Sequence, residues 1–210
     1  AKNSRQSGMM RLGIYGGTFA PIHNAHVRAA EAFLQTYALD KLMVIPAGIP
    51  PHKRISAEDD PQQRLTMCRL AFEGEPKIEV SDMELKRKGK SYTVDTLRSL
   101  TAADRTLFLL CGTDMILTFD QWYCFEEIFR LCTVVFARRE REDDHAAIES
   151  RLQIYREKFH ARVEELALPA WEISSTEVRR RVCAGEDISA LVPENVAKYI
   201  KEHRLYLHEN

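Results

Sequence analysis

Residues 12–26 read LGIYGGTFAPIHNAH, and the fold follows from how this stretch is parsed. Leu12, Ile14 and Tyr15 make a short apolar strand that breaks at Gly16-Gly17. The chain then passes through Thr18, Phe19 and Pro21 to His23 and His26. Val27, Ala30, Phe33, Leu34 and Tyr37 recur at helical spacing beyond it. Two histidines therefore sit at or just before the start of the first helix, behind a glycine turn. A helix start carries unsatisfied backbone N–H groups and a partial positive charge, which suits a phosphate. The glycines are expected to let the backbone turn tightly and approach a ligand.

Working outward, the same alternation repeats. Lys41–Pro46 reads as a second buried strand, followed by a Pro/Gly loop with His52, Lys53 and Arg54. Asp60-Pro61 opens a helix running to about Gly74, with proline in its first turn. Lys77–Val80 reads as a strand and Ser81–Lys90 as a charged, exposed segment. Ser91-Tyr92-Thr93 starts a helix over Val94–Leu100. Thr106–Leu110 is a buried strand leading into Cys111-Gly112-Thr113-Asp114. Gln121-Trp122-Tyr123 precedes a helix to Leu131, and Thr133–Ala137 is the next strand. A helix over about 144–159, a short strand near 162–166 and two helices, Ser175–Ala184 and Pro193–His203, follow.

Near-continuous apolar strands alternating with helices predict a Rossmann-like, doubly wound α/β fold. A parallel sheet would carry helices on both faces and a C-terminal helical segment at about 174–206. Residues 1–10 read as a disordered lead-in or an expression scar, and 11–210 as a single domain. In such a sheet ligands bind beyond the carboxyl ends of the strands, at the switch point of the strand order. The polar signals fall there: GGTFAPIHNAH after the first strand, PPHK after the second, GTD after the fourth.

Composition excludes several classes. Lys plus Arg number 30 against 31 for Asp plus Glu, so whole-protein attraction to nucleic acid or an anionic membrane is not expected and anion recognition must be local. The run Arg179-Arg180-Arg181 is too short to argue otherwise. Hydrophobic residues at 45% and a mean hydropathy of −0.33 suit a globular protein, with no apolar run near the ~20 residues needed to span a bilayer. Five cysteines (Cys68, Cys111, Cys124, Cys132, Cys183) form no C-x-x-C pair and suggest buried thiols in a reducing, cytoplasmic setting.

The loop matches neither G-x-G-x-x-G nor G-x-x-x-x-G-K-[ST]. Alone, H-x-x-H reads first as ordinary core or surface histidines, then as anion contacts, and last as a metal pair lacking a third ligand. Trp122-Tyr123 alone would be a core pair, Lys53 a solvated lysine and Asp114 a helix cap.

Context changes that order. G-G-T-F-x-P-x-H-x-x-H resembles the signature of the nucleotidyltransferase superfamily, usually G-G-T-F-D-P-x-H-x-G-H. Within it, the chain is similar to the bacterial nicotinate mononucleotide adenylyltransferases. The likeness continues through PPHK (Pro50–Lys53), YTVDTL (Tyr92–Leu97), GTDM (Gly112–Met115), WY (Trp122-Tyr123) and ISSTEVR (Ile173–Arg179). It spans Arg11 to Tyr206 in the family's order.

The resemblance implies transfer of the adenylyl group of MgATP to nicotinate mononucleotide, releasing pyrophosphate, in NAD biosynthesis. It implies His23, His26 and Arg179 as catalytic residues. Gly16, Gly17, Thr18, Phe19, Ser174, Ser175 and Thr176 join them around ATP. His52 and Lys53 would meet the mononucleotide phosphate, Asp114 a ribose hydroxyl, Trp122 the pyridine ring, and the backbone near Thr93 and Tyr123 its carboxylate. Mg²⁺ would arrive with ATP rather than on protein ligands. The partners are these two small molecules; no pattern fixes the oligomeric state, so a homo-oligomer stays open.

Three positions depart from the family. Ala20 stands in place of the usual Asp, Ala25 replaces the glycine between the histidines, and Arg138-Arg139-Glu140 lacks the usual Pro-Gly. None removes a phosphate donor. Phosphopantetheine adenylyltransferases, also similar, usually carry Thr in place of His23 and lack the Trp-Tyr pair. A dual acid/amide enzyme and a non-catalytic nucleotide sensor are also compatible with the motifs.

Overall fold

Strand residues of this chain are apolar on both sides, and the computed structural model, which describes residues 8–48, 59–138, 145–169 and 172–208, buries both. Six strands form one sheet: β1 (Met10–Gly17), β2 (Lys41–Pro46), β3 (Ile78–Val80), β4 (Arg105–Gly112), β5 (Cys132–Ala137) and β6 (Val163–Leu166). Their order is β3-β2-β1-β4-β5-β6 and every pairing is parallel. Register runs from Leu12 opposite Lys41 to Gly17 opposite Pro46, and from Met10 opposite Arg105 to Tyr15 opposite Leu110. The order reverses between β1 and β4, which makes their carboxyl ends the switch point.

Side chains alternate between two cores. Leu12, Ile14, Leu107, Leu109, Val134 and Phe136 face one. There they meet α3 (Thr93–Leu100), α4 (Thr113–Thr118), α5 (Phe125–Leu131) and α6 (His145–Lys158). Leu42, Val44, Phe108, Leu110 and Val135 face the other. That side is covered by α1 (Asn24–Thr36), α2 (Pro61–Ala71), α7 (Ser175–Cys183) and α8 (Glu194–Glu202). The expected doubly wound sheet is therefore present, and the C-terminal helices complete its second face. Among the described residues no helix is long and apolar enough to cross a membrane.

Four local expectations change. Met10, read as lead-in, is the first residue of β1, and residues 1–7 lie outside those described. The segment Thr113–Gln121, without a predicted helix, holds α4 and a 3-10 turn over Phe119–Gln121. Its anchor is long-range: fully buried Tyr155 donates its hydroxyl to the Ile116 carbonyl at 2.6 Å, and Phe119 stacks on Phe129 at 4.8 Å. Segment 81–90 is half-buried over Ser81–Leu85 rather than exposed. Glu84 accepts the Thr96 hydroxyl there, and burial pushes its carboxyl above the usual range. Helix α2 also stops at Ala71, short of Gly74.

Gly13, in the middle of β1, marks the tightest approach of sheet and helix. A methyl there would overlap Leu39 Cδ1 and press on Leu42 Cδ1 at 3.0 Å and Phe33 at 3.1 Å. Gly13→Ala is expected to destabilise the fold by ~1–3 kcal/mol, the usual cost of overpacking. Urea unfolding measures this; an unchanged midpoint would mean that Leu39 moves aside freely.

Candidate functional site

The loop after β1 turns differently from the expectation. Gly16 and Gly17 end the strand without positive φ, and the left-handed residue is Phe19, at φ 51°. Gly17 matters for space: a Cβ there would lie 3.1 Å from the Phe19 ring. Phe19 is buried, edge-on to Tyr15 at 5.3 Å and to His26 at 5.0 Å. The strain of a left-handed phenylalanine is held by this packing.

His23 and His26 cap α1 reciprocally. The His26 backbone N–H donates to His23 Nδ1 at 3.4 Å, and the His23 backbone N–H donates to His26 Nδ1 at 3.1 Å. A Ser/Thr and Glu pair usually fills these positions. The rings stack at 3.6 Å, and His23 is 1% exposed. With Nδ1 an acceptor in both rings, Nε2 carries the proton of each neutral imidazole. The pair is thus set up as two N–H donors at a helix N-terminus. Ala25, between them, packs its methyl against the core below α1.

Helix α7 reaches the same loop from the far end of the chain. Ser174 is its N-cap, accepting from the Glu177 N–H at 3.1 Å. Ser175 donates its hydroxyl to the Pro21 carbonyl at 2.8 Å, and Arg179 Nη1 donates to the Ala20 carbonyl at 2.7 Å. Arg179 Nη2 also meets Thr176 Oγ1 at 3.4 Å. Gly16–Phe19, the histidines and Ser174–Arg179 are therefore brought together. The Ser174 hydroxyl caps the helix and the Ser175 hydroxyl is engaged by the Pro21 carbonyl, which leaves the backbone of the first turn as the donor surface.

A second group surrounds the ends of β4 and α3. Asp114 is exposed in the first turn of α4; Gly112, not Asp114, is that helix's N-cap. Thr93 opens α3, whose N-cap, Tyr92, gives no side-chain capping bond. Ser91 before it is buried, and its hydroxyl has no hydrogen-bond partner among the described residues. Trp122 is half-buried, with Nε1 3.3 Å from Thr118 Oγ1 and its ring stacked on Phe119 at 6.3 Å. Tyr123 is 55% exposed and lies 4.9 Å from the Tyr92 ring. Tyr123 thus bridges the α4–α5 turn to the head of α3, while Trp122 packs back on Thr118 and Phe119. His52, Lys53, Arg139 and Glu140 lie outside the described residues. Arg138 is held by acids, donating to Glu165 at 2.6 Å and Glu149 at 3.1 Å.

Arg64, which the sequence reading passed over, sits beside this loop. It lies on α2 among Leu65, Met67 and Cys68, is 1% exposed, and donates to Asp59, to the Thr18 carbonyl at 2.8 Å and to the Gly48 carbonyl at 3.5 Å. An arginine in an amphipathic helix ordinarily reads as a solvated position, so no local signal marks it. All five cysteines are unbridged; burial pushes the thiols of Cys68 and Cys132 up to about 12. Among the described residues no three His, Cys, Asp or Glu side chains gather as a metal site.

Residues 14–181 match the family model described as Cytidylyltransferase-like. A protein of Desulfatibacillum aliphaticivorans carrying the name "Probable nicotinate-nucleotide adenylyltransferase" is 38% identical, over 94% of this chain and 100% of that one. One of the same name from Citrifermentans bemidjiense is 41% identical, over 94% and 99%. Among solved structures, Plasmodium falciparum nicotinic acid mononucleotide adenylyltransferase complexed with NaAD superposes with a TM-score of 0.75. The two are 21% identical, over 94% of this chain and 97% of that one, which shows the shared fold.

The two ties of α7 to successive carbonyls act on one loop and should be coupled. Ser175→Ala and Arg179→Met, singly and together, are expected to show an interaction energy of ~0.5 kcal/mol or more in denaturant unfolding. Strict additivity would mean that each bond is made independently of the other.

Proposed function

This chain belongs to the nicotinate-nucleotide adenylyltransferase family, and on that premise we propose how its residues carry out the transfer. It is an adenylyltransferase of NAD biosynthesis that joins the AMP of ATP to nicotinate mononucleotide. An oxygen of the mononucleotide phosphate attacks the α-phosphorus, the bond to the bridging oxygen breaks, and pyrophosphate leaves with that electron pair. The nucleophile is already an anion, so no covalent enzyme intermediate or strong base is needed. Catalysis reduces to alignment and to neutralising charge on the phosphates.

The observation that carries the reading is the reciprocal histidine cap at the switch point, with α7 hydrogen-bonded to the same loop. His23 and His26 donate Nε2–H to the triphosphate, alongside the N–H groups at the starts of α1 and α7. Arg179, already on the Ala20 carbonyl, adds a charge-assisted contact. The metal is Mg²⁺ carried by ATP, a substrate rather than a resident ion. On the other side Trp122 stacks on the pyridine ring and Asp114 accepts from a ribose hydroxyl. The uncapped head of α3 at Thr93 and the Tyr123 backbone receive the carboxylate. His52 and Lys53 meet the mononucleotide phosphate. The setting is the cytoplasm.

Pyrophosphate release from MgATP, with nicotinate and nicotinamide mononucleotides side by side, tests the reaction. Fast release with the acid alone is expected. Equal rates would make the enzyme dual-specific and remove the carboxylate assignment; silence with both, in a protein that binds ATP, would make it a sensor.

His26→Ala should lower kcat by about a hundredfold or more. Because the ring also caps α1, it should cost ~1 kcal/mol of stability as well. Turnover near normal would remove His26 from the mechanism. Trp122→Ala should raise KM for the mononucleotide by roughly tenfold to a hundredfold, from ~1–3 kcal/mol of lost stacking. KM for ATP should stay level, and equal effects on both substrates would sink the stacking assignment.

A further inference from the structure

Arginine rarely enters a protein interior without partners, and its planar fork can hold several oxygens in a fixed relation. Arg64 is 1% exposed, and the hydrogen bonds it donates reach three points far apart in the chain. One is the Thr18 carbonyl, inside the loop that follows β1. The others are the Gly48 carbonyl, two residues after β2, and the Asp59 carboxylate, two residues before α2. Gly48 and Asp59 bracket the segment containing His52 and Lys53. A single guanidinium therefore joins the phosphate loop to both ends of that segment.

The neighbourhood allows little slack. A Cβ on Gly48 would lie 2.7 Å from the Glu84 carbonyl, so the backbone at this corner has no room to shift toward the segment that follows β3. Asp59 is itself 9% exposed and lies 3.0 Å from Arg64 Nε. Removing either partner strands the other's charge at low dielectric, so the arrangement holds as a unit. Thr18 stands between Gly17 and the left-handed Phe19, whose ring packs on His26. A displacement at Thr18 is thus passed through Phe19 to the histidine pair.

We propose that Arg64 is a positioning residue for adenylyl transfer. It clamps the β1 loop to the backbone after β2 and to the carboxylate before α2, so that the loop, and through Phe19 the histidine pair, is held in the geometry that receives the triphosphate. This rests on the adenylyl-transfer reading above. It goes beyond it in giving the alignment to a side chain that touches neither substrate. Misalignment of two reactants by a fraction of an ångström weighs on the chemical step more than on the binding of either alone.

The test compares the wild-type protein with Arg64→Lys and Asp59→Asn. The readouts are kcat per folded molecule, KM for each substrate, and thermal midpoint. Lysine keeps the charge but, as a point donor, cannot span three acceptors. Arg64→Lys is expected to lower kcat by about a hundredfold with KM for ATP unchanged. Asp59→Asn, isosteric and leaving the guanidinium in place, should show a smaller loss of the same kind, and it decides the matter if Arg64→Lys fails to fold. A merely structural arginine would move the thermal midpoint and leave kcat per folded molecule at the wild-type value, which overturns the clamp. Silence in the wild-type protein itself would overturn the reaction and the clamp together, so the two failures are separable.

Discussion

A parallel sheet cannot be closed by hairpins. Each strand must be followed by a crossover, and the crossovers here bury both faces of β1, β2, β4 and β5 under helices. Polar chemistry is thereby driven to the carboxyl ends of the strands. β1 is bonded to β2 on one side and β4 on the other, so the loop after it emerges where successive crossovers diverge. The histidine cap, the docking of α7 and the aromatic turn after β4 all depend on that one divergence.

Much of this was legible because it is written in period and punctuation. The apolar runs gave the strands, Asp60-Pro61 gave the start of α2 to the residue, and Lys41–Pro46 matched β2. The histidines were legible as helix-start residues because Gly-Gly and a proline preceded them. Their reciprocal bonding was not: it depends on two rings adopting acceptor geometry at once, and spacing alone does not encode that.

What stayed hidden was carried by long-range contacts. The expectation of a glycine turn failed because Phe19 takes the left-handed conformation, stabilised by Tyr15 and His26 rather than by its own backbone preference. Helix α4 was missed because Thr113–Thr118 is short and weakly patterned; Tyr155, 39 residues on, holds it. Arg64 escaped notice because its partners lie 46, 16 and 5 residues away, two of them being carbonyls that no sequence motif marks. Taken alone, Trp122-Tyr123 would be a core pair, yet packing divides them into a half-buried ring and an exposed one.

The bonds from α7 to Ala20 and Pro21 join residues 159 and 154 positions apart. During synthesis at ~5–20 residues per second, the β1 loop waits roughly ten to thirty seconds for its partner to be made. The first strand, first helix and histidine cap can form early, but the ties from α7 to the β1 loop cannot. A nascent chain therefore carries the histidine cap without the helix that ties down its loop, and on the site proposed above it would not act on ATP until the last helices dock. Assembly order is thus set by the distance along the chain between two segments that meet at one loop.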